Sequence, residues 1–297
     1  MSAGIVNAMT IDVEDYFHVS VFDGLVPRSD WERLESRVER NTERLLGLFQ
    51  EVGIQATFFV LGWVAERFPQ LIARIARRGH EIASHGYGHR LIYDQTPAAF
   101  RDDVRRAKDL LETASGQPVY GFRAPSYSVT PRTLWALDVL IEEGYTYDAS
   151  IFPIRHDRYG IPLSPRHPYV LPRAGGVLME APASTVRVGV MNLPIAGGGY
   201  FRILPYAWTR WGIKRLNEVE QLPAIFYLHP WEVDPDQPRL KAGLMSRFRH
   251  YRNLDQTETR LRRLLREFRF GPLRAMLNAA PAHAETAAAA LPLPYVW

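Results

Sequence analysis

Met9-Thr-Ile-Asp-Val-Glu-Asp-Tyr-Phe-His18 is a short apolar run that stops abruptly in three acids and a histidine. Ile5, Val6, Met9 and Ile11 have the pattern of a buried strand end. Three carboxylates directly after such a strand (Asp12, Glu14 and Asp15) repel one another and resist desolvation unless a cation or an arginine compensates them. A single acid there would read as a cap for the next element. Three acids, with two histidines waiting downstream, read as a metal-plus-base site.

Working outward, strand-like and helix-like stretches alternate. Asn41 to Gly53 opens on a capping residue, spaces its leucines helically and closes on a glycine suited to a C-terminal cap. Ala56 to Leu61 is short, aromatic and β-branched, the composition of a buried strand. Pro69 to Arg78, followed by Gly79, is the next helix, and Glu81-Ile-Ala-Ser84 is a strand that delivers His85. Thr96-Pro97 opens a helix closed by Gly116, and Thr130-Pro131 opens another closed by Gly144. Ala224 to Leu228 returns to a buried strand and delivers His229. This rhythm predicts a parallel α/β architecture, an open sheet or a barrel, with the motifs at strand ends where such folds place their sites.

The 297 residues, 46% hydrophobic, suffice for a sizeable core. We expect one catalytic domain over residues 1–278, whose later part is rich in Pro and Gly from Phe152 to about Pro205, and a disordered tail over residues 279–297. With no cysteine, any metal must be held by histidine and carboxylate. Asp12 interrupts the first apolar run well short of a signal-peptide core, which predicts a cytoplasmic chain. No apolar stretch approaches the roughly 18 residues of a membrane span. A net charge of +4 with scattered arginines argues against a nucleic-acid partner. Thr257 to Phe270 is an amphipathic basic helix, expected to pack its leucines on the core rather than on a membrane.

Three further constellations carry chemistry. In Ser84-His-Gly-Tyr-Gly-His89, two imidazoles four apart can meet one metal if the glycines let the backbone turn. In Gly121-Phe-Arg-Ala-Pro-Ser-Tyr-Ser128, Arg123 enters a loop stiffened by Pro125 and can orient and compensate a carboxylate. In Tyr227-Leu-His-Pro-Trp-Glu232, a histidine stands at a strand end before a proline.

Taken in order, Thr10-Ile-Asp-Val-Glu-Asp15, His85 to His89, Arg123-Ala-Pro125 and Leu228-His229 resemble the four motifs of the polysaccharide deacetylase family, the NodB-homology carbohydrate esterases. Asp-Val-Glu-Asp-Tyr-Phe and Gly197-Gly-Gly-Tyr-Phe-Arg202 resemble the subgroup associated with exopolysaccharide and exosortase gene clusters. The resemblance implies a distorted (β/α) barrel and a divalent metal, zinc first, that serves removal of N-acetyl groups from an amino-sugar oligomer or polymer. It also implies a possible partner in an exopolysaccharide synthesis complex. In the roles it implies, Asp12 is the base, His229 the acid, and Arg123 the partner of Asp12. His85 and His89 hold the metal with Glu14 or, alternatively, Asp15. Asp148 is the candidate acid orienting His229. Pro125, Ser126, Tyr127, Tyr200, Leu228 and Trp231 lie on the substrate side, with Tyr200 and Trp231 as sugar-stacking rings.

Two features depart from the common pattern: Ser126 replaces the usual aromatic after the third-motif proline, and the acid motif is longer than adjacent Asp-Asp. Side-chain alternation puts Asp12 and Glu14 on one face, which favours Glu14 over Asp15 as ligand. Two other classes fit less well: a metal-free amidohydrolase acting on a cyclic amide, and an inert carbohydrate-binding protein.

Overall fold

The computed structural model describes residues 4–22 and 24–279. Its strands are β1 (Val6–Val13), β2 (Thr57–Val60), β3 (Glu81–Ser84), β4 (Gly121–Phe122), β5 (Tyr147–Asp148), β6 (Tyr169–Arg173), β7 (Gly176–Glu180), β8 (Thr185–Val188), β9 (Met191–Pro194), β10 (Ile225–Leu228) and β11 (Arg269–Gly271). The helices are α1 (Val38–Val52), α2 (Gly62–Arg67), α3 (Pro69–Arg77), α4 (Pro97–Ser115), α5 (Trp135–Glu142), α6 (Gly198–Ile203), α7 (Tyr206–Lys214), α8 (Leu244–Tyr251), α9 (Leu254–Glu267) and α10 (Leu273–Ala279). Nothing in the expected tail beyond Ala279 falls within the described residues.

One nine-stranded sheet runs in the order β10-β1-β2-β3-β4-β5-β7-β6, with β11 also on β1. All its pairings are parallel except the β6–β7 hairpin. Among the described residues no strand pair closes the sheet: beyond β7, Ala183 N–H donates to the Ile151 carbonyl, continuing the pairing with the segment after β5, and the Ser184 hydroxyl accepts from Ile225 N–H of β10 at 2.7 Å. The barrel is therefore distorted at this seam. Its interior is narrow, lined by Ala8, Phe59, Ala83, Ala149 and Ala181, and Leu273 and Met276 of α10 pack into the same cluster. Leu273 N–H donates to Thr57 Oγ1 at 2.7 Å, fixing that helix to the start of β2.

Outside the sheet, α9 buries Leu261, Leu264 and Leu265, each worth about 1.5–3 kcal/mol of transfer free energy. The helix begins earlier and ends sooner than its periodicity suggested, because Phe270 leaves it to pair with Asn7 on β1. Among the described residues, no helix is long and apolar enough to cross a membrane.

Two helix starts also differ from expectation. Asn41 does not cap α1: the helix begins at Val38, and Asn41 is buried inside it, donating to Asp234 Oδ2 at 3.2 Å. Thr130 opens a turn held by Thr133 Oγ1, and α5 starts only at Trp135. Thr96 does cap α4, accepting from Ala99 N–H at 3.2 Å.

Candidate active site

Parallel register brings the motifs to one rim. Asp12 stands opposite Phe59 near the end of β1, His85 follows β3, Arg123 follows β4 and His229 follows β10. They surround the floor of a cavity of about 350 Å³ whose walls include Tyr127, Tyr159, Tyr200 and Tyr227.

Glu14, His85 and His89 are buried, and their ligand atoms lie within 4.8 Å of one another. Glu14 Oε2 is 2.8 Å from His89 Nε2, and Trp231 Nε1–H donates to Glu14 Oε1 at 3.2 Å. His85 Nδ1 lies 2.8 Å from the Arg123 carbonyl, which can only accept. That places the proton on Nδ1 and leaves the Nε2 lone pair free. The loop between the histidines turns as the glycines require. Gly86 has φ +73°, where a Cβ would also meet Asp103 Oδ2 at 2.8 Å. Asp103 in turn accepts from Tyr87 N–H at 2.7 Å and so pins the loop to α4.

Glu14 follows β1 directly, and its side chain shares the site face with Asp12 as alternation suggested. Burial raises the pKa of its carboxyl, but His89, His229 and His85 outweigh that and hold it below the usual carboxylate range. Burial pushes His85 down to about 4, so its ring is neutral, as a metal ligand must be.

Asp15 is turned away. Its Oδ2 accepts from Ser36 Oγ at 2.7 Å and from the N–H groups of Arg37 and Val38 at 2.7 and 3.0 Å. Asp15 is thus the N-terminal cap of α1, supplied from elsewhere in the chain. This corrects the alternative that Asp15 ligates the metal.

Asp12 Oδ1 accepts from Arg123 Nη1 at 2.6 Å, and Arg123 also donates to Thr10 Oγ1 and to the Ala149 carbonyl. The other oxygen, Oδ2, is 3.9 Å from His229 Nε2. His229 is held by Glu232, whose Oε1 accepts from His229 Nδ1–H at 2.6 Å and from His229 N–H at 3.1 Å. Burial lowers the imidazole's pKa, yet Glu14, Glu232 and Asp12 more than offset it and push it up to about 9.

Asp148 does not orient His229. It accepts from Ser150 Oγ at 2.5 Å and faces Glu180 across the β5–β7 pair, both acids being wholly buried. The orienting acid is Glu232, visible in the sequence only as the last residue of the fourth motif. Its partner, Arg202, ends the Gly197 to Arg202 stretch, where no local signal marks its role. Arg202 Nε donates to Glu232 Oε2 at 2.5 Å, while the rest of the guanidinium binds the carbonyls of Arg249, His250 and Arg252 at the end of α8. Gly197 begins the turn that brings Arg202 in, and a Cβ there would lie 2.3 Å from the Tyr227 carbonyl.

The expected substrate residues divide. Ser126, Tyr127 and Tyr200 line the cavity. Leu228 is wholly buried among core residues and cannot touch a sugar, and Pro125 is buried where it shapes the loop. Trp231 also borders the cavity but is only 5% exposed, with its ring stacked against both His229 and His250. Its faces are covered, and its indole N–H serves Glu14. Ser126 and Tyr127 both have φ above +50°, a conformation that non-glycine residues hold only under constraint.

A buried cluster of two imidazoles and a carboxylate, with an arginine-held aspartate and a carboxylate-held histidine at its edge, stands at one rim of a distorted α/β barrel. The comparisons agree. Residues 26–147 match the model of the polysaccharide deacetylase family, and residues 149–278 match a domain of unknown function, DUF3473. The peptidoglycan-N-acetylglucosamine deacetylase of Bacillus cereus is 30% identical over 98 residues, which is 33% of this chain and 36% of that protein. The matches thus span about a third of the length of such relatives. A Mycobacterium smegmatis crystal structure assigned to the polysaccharide deacetylases aligns over 94% of this chain and 91% of that one, at 21% identity and a TM-score of 0.64. The Puue allantoinase aligns over 92% and 89%, at 17% identity and a TM-score of 0.60. Both likenesses show the shared fold. The two matched segments meet at β5 and contribute to one sheet, since Tyr147 at the end of the first pairs with Met179 of the second, while β10 of the second pairs with β1, which precedes both.

Proposed function

We propose that the chain is a metal-dependent hydrolase that removes N-acetyl groups from amino sugars of a polysaccharide or its precursor. The observation that carries this reading is the convergence of Glu14, His85 and His89, buried and, among the described residues, with no Lys or Arg in ion-pair contact, between Asp12 and His229. The residues fit a metal: Glu14 Oε2 has no well-aligned hydrogen-bond partner, His85 Nε2 is left free by its Nδ1 bond, and the N/N/O donor set suits zinc. A divalent ion held there supplies Lewis acidity and lowers the pKa of bound water from about 15.7 towards about 7.

The chain's own groups supply the proton transfers. Arg123 occupies Asp12 Oδ1, leaving Oδ2 to take a proton from the attacking water. His229 carries a proton on Nε2 at neutral pH, because Glu232 fixes Nδ1–H and the surrounding carboxylates favour the cation. That proton goes to the departing amine. Among the backbone donors of the Arg123 to Tyr127 loop, the Ser126 N–H alone has no hydrogen-bond partner among the described residues, and Ser126 lines the cavity, so it is the candidate for the oxyanion. Tyr200 and its neighbours Tyr127 and Tyr159 offer the aromatic wall for the sugar.

The test is Asp12→Asn, which removes a base and not a ligand. Turnover on N-acetylglucosamine oligomers should fall by about 10²–10⁴ with metal content unchanged. Unaltered acetate release would sink the assignment.

A further inference from the structure

The basic helix that the sequence suggested as amphipathic, α9, buries its leucines, but a second one does not. On α8, Leu244, Met245 and Phe248 are exposed at 84%, 64% and 48%. Leu244 and Phe248 lie one turn apart with Met245 beside them, and Arg247 and Arg249 flank this stripe on its two sides. The opposite face is anchored: His250 is buried, stacked on Trp231, and hydrogen-bonded to Gln237 at 2.7 Å.

Charge follows the same face. Between Asp236 and Asp255 the chain carries five cations, Arg239, Lys241, Arg247, Arg249 and Arg252, and no carboxylate. All five residues are exposed, and none is within ion-pair distance of a carboxylate among the described residues.

We propose that α8 and its basic flanks dock on an anionic lipid bilayer. Apolar side chains bordered by arginines are the pattern of a helix lying in a membrane interface, where the apolar groups enter the acyl boundary and the cations meet lipid phosphates. A polyanionic sugar chain would pair with the arginines but would leave three large apolar side chains in water. A second copy of this face would set five cations against five. The lipid surface satisfies both features. Its consequence for the site is direct, because Arg202 ties the end of α8 to Glu232, and Arg249 and His250 border the cavity. Docking would set the cavity mouth beside the bilayer. This inference stands independently of the deacetylase reading.

Co-sedimentation of the full chain with vesicles tests it, comparing phosphatidylglycerol mixed into phosphatidylcholine with pure phosphatidylcholine. The wild type should pellet with the anionic vesicles and stay in solution with the neutral ones. Leu244→Ser with Phe248→Ser should weaken binding tenfold or more, and Lys241→Ala with Arg247→Ala about fivefold per cation, with circular dichroism unchanged in both. A wild type that stays in solution with anionic vesicles would overturn the proposal, as would serine variants that bind as well as it does. Retention by an acidic polysaccharide that is lost in the cation variants yet kept in the serine variants would assign the face to a polymer instead. A concentration-dependent dimer abolished by Phe248→Ser would assign it to self-association.

Discussion

Glu232 Oε1 lies 2.6 Å from His229 Nδ1, and its other oxygen lies 2.5 Å from Arg202 Nε. The carboxylate thus fixes both the tautomer and the charge of the imidazole, while the buried guanidinium repays part of its desolvation. Glu232→Gln should lower kcat by about 10²-fold with little change in KM, since the ring loses its protonated form but the cavity keeps its walls. Combined with His229→Ala, it should add little further loss. Additive losses in steady-state kinetics would show that Glu232 acts elsewhere.

Glu14 and Asp15 are neighbours with different work. Glu14→Ala should deplete bound metal in elemental analysis while leaving thermal stability nearly unchanged. Asp15→Ala should keep the metal and destabilise the fold by about 1–2 kcal/mol, because three donors at the start of α1 lose their acceptor. A metal-depleted Asp15 variant beside a metal-replete Glu14 variant would reverse the assignment.

Asp148 and Glu180 are paired acids held off water, and burial pushes Asp148 up to about 6 and Glu180 well above its ordinary value. Both bind protons more tightly in the folded chain, so Asp148's contribution to stability is complete below about 3.8 and is lost as pH rises through about 6, and Glu180's is lost at higher pH. Glu180→Gln can donate to Asp148 without needing that proton. Its melting temperature, measured against the wild type, should gain a few degrees between about pH 5 and pH 8. A difference that does not change with pH would contradict the shared proton.

Much of this was legible in the sequence because each motif sits within a residue or two of a strand end, and parallel strands carry their ends to one rim. Alternation along β1 separated Asp12 and Glu14 from Asp15 even though the strand stops at Val13. What escaped was the set of partners chosen by tertiary structure. The cap of α1 comes from Asp15, more than twenty residues away, so a local search stopped at Asn41. Glu232 reaches His229 only because Pro230–Val233 forms a single tight turn, and Arg202 arrives from a separate helix. From the sequence Trp231 fits a sugar-stacking ring and a core aromatic equally; His229 and, from α8, His250 cover its two faces. No periodicity in the chain marks these meetings.

The central claim is that a metal held by Glu14, His85 and His89 serves hydrolysis of an N-acetyl group. Its most direct measurement is acetate release from N-acetylglucosamine oligomers before chelation, after chelation, and after zinc is returned. The account predicts release that disappears on chelation and is restored by zinc. Undiminished release from the chelated protein, or no acetate from the zinc-loaded protein while a cyclic amide is opened, would contradict it.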